Sequence, residues 1–100
     1  MSYDDVKKEV ISVIDEFTKE DLVDHYGSIF NAQTKLGALR IPPQVRGWMS
    51  RPLNKRLAKR LGRPIRNIGM IDLQGTKSVG DVIVLACSRS NTNIPPGEPI

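Results

Sequence analysis

Ser50-Arg-Pro-Leu-Asn-Lys-Arg-Leu-Ala-Lys-Arg-Leu-Gly62-Arg-Pro-Ile65 is the stretch on which the fold turns. Leu53, Leu57 and Leu61 recur every fourth residue. At roughly 100° per residue this gives a narrow apolar stripe on a helix from about Arg51 to Leu61. Arg51, Lys55, Arg56, Lys59 and Arg60 fan over the opposite half of the cylinder. Ser50 is a capping candidate, and Pro52 is tolerated in a first turn whose N–H groups lack intrahelical partners. Gly62 and then Pro64 stop the helix. One edge faces a core and the other is a cationic face.

The charge of this region is one-sided. Between Asp24 and Asp72 there is no acidic residue, yet the stretch carries ten of the fifteen Lys and Arg, including Lys35, Arg46, Arg63 and Arg66. Residues 1–24 run the other way, with eight acids against three lysines. Like charges gathered over half a small domain repel one another and build a field that attracts the opposite sign. Polyanion binding is the commonest reason for such a layout. The competing reading is a solvated face balanced by the acidic first segment; typical solvated faces mix signs to form pairs four residues apart, and this one has no acid of its own.

Outward from the basic helix, residues 4–17 place Val6, Val10, Ile11, Val13, Ile14 and Phe17 on one broad helical face. Thr18 can cap a second helix over Lys19–Tyr26, with Phe17 and Leu22 spaced as a hydrophobic staple and Gly27 at its end. Gly37 and Pro42-Pro43 argue for a loop over 31–43, with a short strand at Ala38–Ile41 and a helical turn at Gln44–Met49.

Beyond Gly62 the residue types change. Ile65–Leu73 and Asp81–Ser88 are short and rich in β-branched residues, which favours two strands. Gln-Gly-Thr-Lys-Ser-Val-Gly-Asp between them reads as a hairpin loop with Lys77 at its tip. A helical register over Arg63–Ile71 is disfavoured by Pro64, Gly69 and the isoleucines. Residues 89–100 have the polar, proline-rich composition of a flexible tail. The expected fold class is therefore α+β, three helices and a C-terminal β-hairpin over residues 1–88. The expected core includes Val10, Ile14, Phe17, Leu22, Leu53, Leu57, Ile71 and Val84.

Phe17-Thr-Lys-Glu-Asp-Leu22, Leu53-Asn-Lys-Arg-Leu57 and the Gly62…Ile65…Gly69 run into the hairpin carry a resemblance to the winged helix-turn-helix family. The resemblance implies a third helix in the DNA major groove and a hairpin wing on the backbone. It implies duplex DNA as the partner and transcriptional control as the role, with Arg51, Lys55, Arg56, Lys59, Arg60 and Lys77 as the reading surface. Arg46 and Arg63 flank that surface and join the candidate DNA-binding set. The link between the second and third helices is long and proline-broken, where many winged helices have a short turn.

Other classes are weaker. A docking or dimerisation winged-helix module without nucleic-acid binding is the different-class alternative, but apolar anchors are absent from the basic face. RNA is a weaker guess than duplex DNA, because Tyr3, Phe17, Tyr26 and Phe30 are scattered. Trp48, beside Met49, reads as a core anchor rather than a base-stacking residue. His25 and Cys87 stand alone, so no metal site or cofactor is expected. Asp72 and Asp81 with Lys77 between them only faintly echo a nuclease site, and no catalytic residues are assigned.

One hundred residues make one small domain. The single cysteine fits a reducing compartment. No apolar run approaches the roughly 20 residues that span a bilayer, and the acidic Met-Ser-Tyr-Asp-Asp start is unlike a signal peptide. A soluble cytoplasmic or nucleoid-associated protein is expected, without a membrane partner. A homodimer through the first helix is the expected use of any surplus of Val6, Val10 and Val13 over what one core covers.

Overall fold

The computed structural model describes residues 3–18 and 32–97. Its elements are α1 (Tyr3–Phe17), α2 (Pro43–Trp48), α3 (Ser50–Leu61), α4 (Met70–Gln74) and α5 (Val79–Arg89). Helix α1 packs on α3 and α5, and α2 packs on α3 and α4. Leu22, His25 and the helix expected over Lys19–Tyr26 lie outside the described residues.

The largest correction is the C-terminal half. Among the described residues there is no β-strand, so the α+β class and the hairpin wing are overturned and an all-α fold stands in their place. The strand expected over Asp81–Ser88 is helix α5. Besides Gly80, its buried residues are Val79, Val82, Ile83, Ala86 and Cys87, an i, i+3, i+4, i+7, i+8 pattern that suits a helix. The start signal was also present. Ser78 Oγ accepts from Asp81 N at 3.2 Å, and an Asp81 carboxylate oxygen accepts from Ser78 N at 3.2 Å and Lys77 N at 2.9 Å. This capping box occupies the stretch expected to form the hairpin loop. The next orphan donors, Val79 N and Gly80 N, reach Thr34 O and Ala32 O. Packing and capping together outweigh a strand propensity worth about 1 kcal/mol.

Ile65–Gly69 is irregular rather than a strand, and Met70–Gln74 is a short helix opened by Gly69 and Asp72. Consequently Ile71 and Val84 are not core residues: Ile71 is 84% exposed and Val84 42%. Ala38–Arg40 lies in turns and Ile41 outside any strand, and the one isolated bridge among the described residues joins Lys35 and Ser78. Of the other expected core residues, Val10, Ile14, Leu53 and Leu57 are buried, and Phe17 packs partly against them. Val6, Val10 and Val13 are fully covered within the chain, so none of them offers apolar surface to a second copy.

Helix α3 ends where expected. Gly62 takes the left-handed conformation at φ 67°, and its N–H and that of Arg63 return to Lys59 O and Ala58 O. Ser50 does not cap α3 with its side chain; its hydroxyl donates instead to Ile68 O at 2.5 Å. Asn54 completes that join. Its side-chain amide donates to Ile68 O at 3.1 Å and accepts from Ile68 N at 2.8 Å, satisfying both backbone groups of a buried residue.

Cys87 is 2% exposed on the inner face of α5, where burial pushes its thiol pKa up from 9.0 to about 11. At about pH 8 that lowers the thiolate fraction roughly a hundredfold. A thiol reagent should therefore label the native protein far more slowly than the protein in denaturant. Equal labelling rates in the two states would place Cys87 at the surface.

Candidate functional site

The orientation of α3 decides which cations are available. Leu53 and Leu57 point into the core, so Arg51, Lys55 and Lys59 lie on the far side, and all three are exposed. Residues four apart differ by roughly 40° in direction and about 6 Å in rise, so the three side chains form one slightly oblique stripe about 12 Å long. Among the described residues none of them meets a carboxylate within ion-pair distance.

Arg56 and Arg60 sit on the flank of α3 that faces α1, and there the balanced-face reading holds. Arg56 pairs with Glu16 and also donates to Ser12 Oγ at 2.9 Å. Arg60 donates to Asp5 at 2.8 Å and lies 3.6 Å from Glu9. The hydrogen bond to Asp5, then the charge of that carboxylate, raise the pKa of Arg60, with Glu9 adding a smaller push. The Arg56–Glu16 pair is half exposed and is worth at most about 1 kcal/mol. Its consequence is electrostatic: two of the five outward cations of α3 are answered by acids from residues 5–16. A depression of about 470 Å³ separates the helices there, lined by Glu9, Arg56, Lys59 and Arg60.

The remaining candidates have structural partners. Arg46 donates from Nε to Ile41 O at 2.8 Å and from Nη1 to Thr76 O at 2.7 Å, tying two turns to α2. Arg63 donates to Ser90 O at 2.8 Å, and Arg66 to Ser88 O at 3.1 Å. These guanidiniums meet the carbonyl end of α5, where positive charge suits the helix dipole. Arg89 answers from the other side, donating to Asn67 O at 3.1 Å and pairing with Asp72 at 3.2 Å. Lys77 is exposed in the turn before α5, away from any wing. Its backbone N–H donates to Asp81 and its carbonyl accepts from Leu36 N.

Sequence reasoning placed Trp48 in the core, and the structure reverses that. Trp48 ends α2 and is 53% exposed; Met49, its neighbour, is the buried residue. Gly47 lets α2 approach α4 closely, since a Cβ there would stand 3.2 Å from Gln74 Nε2 and 3.5 Å from Met70 Cβ. That approach sets Met70, 49% exposed, beside Trp48. Gly47, Trp48, Ser50, Arg51 and Met70 line a shallow depression of about 260 Å³. The indole thus borders the N-terminal end of the cationic stripe. No periodicity reports this, because α2 is under two turns long.

Among the described residues no group of His, Cys, Asp and Glu is placed to hold a metal ion. Among them also, no helix is long and apolar enough to cross a membrane. Asp72 and Asp81 are both spent on helix starts, and Asp72 also on Arg89. Compared with protein-family models, with curated proteins and with solved structures, the chain finds no match.

Proposed function

We propose that this protein binds nucleic acid, with Arg51, Lys55 and Lys59 of α3 contacting phosphates. The observation that carries the reading is the stripe of three outward cations, one turn apart, left unpaired among the described residues while their neighbours Arg56 and Arg60 are neutralised by α1. Transcriptional control came with the winged-helix resemblance, and in an all-α fold the stripe supports phosphate contact without it.

Phosphate contact releases counterions, so log K falls with log salt by about 0.7 per contact on a single strand and about 0.9 on a duplex. Three contacts give a slope of roughly −2 to −3. The test is a titration of labelled oligonucleotides, duplex and single-stranded, over a salt series. Joint replacement of Arg51, Lys55 and Lys59 by alanine should leave helicity intact, because none lies on the buried face, and should flatten the slope to near zero. Lys8→Ala on α1 serves as the control. Equal affinity for the triple variant and the unaltered protein at every salt concentration would sink the assignment.

A second reading has an observation of its own. Trp48 and Met70 are exposed close to Arg51, and protein interfaces concentrate their energy on such aromatic and Arg anchors. An acidic polypeptide is the partner that reading implies, and binding to it with no oligonucleotide affinity would favour it.

A further inference from the structure

We propose that the ligand of this surface is single-stranded nucleic acid, with Trp48 as the platform on which one unpaired base stacks. The inference rests on phosphate contact by α3 and adds to it the class of nucleic acid. Its starting point is the half-exposed indole at the edge of a depression that Arg51 also borders. An exposed Trp is costly to leave in water, and about half of this one is left uncovered. An unpaired base offers an apolar face, and its own strand supplies anions for Arg51, Lys55 and Lys59, which meet no carboxylate among the described residues. Charge complementarity and ring stacking therefore call for the same polymer.

A duplex meets only half of these requirements. Its bases are stacked on one another, so it presents phosphates to the stripe and leaves the indole bare. A single strand can lay its backbone along the roughly 12 Å of the stripe while a base turns onto Trp48. Met70 flanks the indole in the same depression; its flexible thioether side chain can adapt to a ring laid beside it. Arg51, on the other side, is placed to pair with the adjoining phosphate or lie against the base. Such sites tolerate many sequences, because every base has a π-face. The ribose or deoxyribose is not selected by any group identified on this surface, so the shared chemistry is an unpaired strand.

Trp48 is the only tryptophan in the chain, so intrinsic fluorescence reports this site alone. Four probes of equal length separate the outcomes: oligothymidylate, oligouridylate, an abasic strand carrying the phosphates without bases, and a duplex. Oligothymidylate or oligouridylate should quench Trp48 and bind more tightly than the abasic strand and the duplex. Trp48→Ala should weaken oligothymidylate binding roughly 5- to 150-fold. It should leave abasic-strand affinity unchanged, and Trp48→Phe should recover much of the loss. Circular dichroism of the variants confirms folding, which the exposure of the indole favours. Equal affinity for oligothymidylate and the abasic strand, without quenching, overturns base stacking while phosphate contact stands. A preference for the duplex overturns the single-strand assignment. Failure of every probe to bind at low salt overturns phosphate contact itself, and quenching by an acidic peptide alone would then identify a protein partner.

Discussion

Leu57→Ala should cost about 2–5 kcal/mol of stability, the range for a leucine removed from a fully buried site. Leu57 has no exposed surface, and it stands with Leu53 on the face of α3 that closes over the core shared with α1 and α5. A chain of this length has roughly 5–15 kcal/mol of stability in all, so the change removes a large part of it. The midpoint of thermal unfolding should fall by roughly 10–30 °C. Urea denaturation followed by helicity measures the loss directly. Ile71→Ala is the matched comparison: at 84% exposure it should stay within about 0.5 kcal/mol of the unaltered protein. A mild effect at Leu57 together with a harsh one at Ile71 would invert the orientation of α3 and return α4 to the core.

Arg46→Ala should cost about 2–4 kcal/mol, although its side chain is only partly buried. The guanidinium bridges Ile41 O and Thr76 O, and each hydrogen bond from a charged donor is worth about 1.5–3 kcal/mol, less than additively. Thr76 is buried, and its side chain is already turned to Leu73 O. Without Arg46 the two carbonyls must find water or stay unpaired, and the 36–41 turn loses one of its ties to the segment before α5, the bond from Leu36 N to Lys77 O remaining. Arg46→Lys should recover little, since an ammonium cannot span two carbonyls as the planar fork does. Chemical denaturation gives the stability. Oligonucleotide affinity of the folded Arg46→Ala protein should be unchanged, which separates a structural arginine from a phosphate-binding one, since alanine removes the charge. Lost affinity with full stability would move Arg46 to the binding surface.

The two residues show how differently local pattern and tertiary contact inform a reading. Leu57 was legible because its neighbours at every fourth position repeat along three turns of helix. Arg46 was not, because a cation in a basic segment looks the same whether its partner is a phosphate or a carbonyl thirty residues away. The C-terminal half was legible in part. Ser78 and Asp81 announced a helix start, and the spacing from Val79 to Cys87 continued it. The density of β-branched residues pointed the other way, since a short apolar run satisfies either period when read by content alone.

By itself the sequence determined helix α1, the amphipathic helix α3, its stop at Gly62 and the outward direction of Arg51, Lys55 and Lys59. All of these follow from steric and hydrophobic rules acting within a few residues. Only the tertiary structure decided between the helical and extended readings of α5, that Trp48 is outside the core and that α1 neutralises Arg56 and Arg60. Those outcomes depend on which element lies alongside. Apolar surface is buried only where a neighbour covers it, and a charge is answered only where packing brings an opposite charge within about 4 Å.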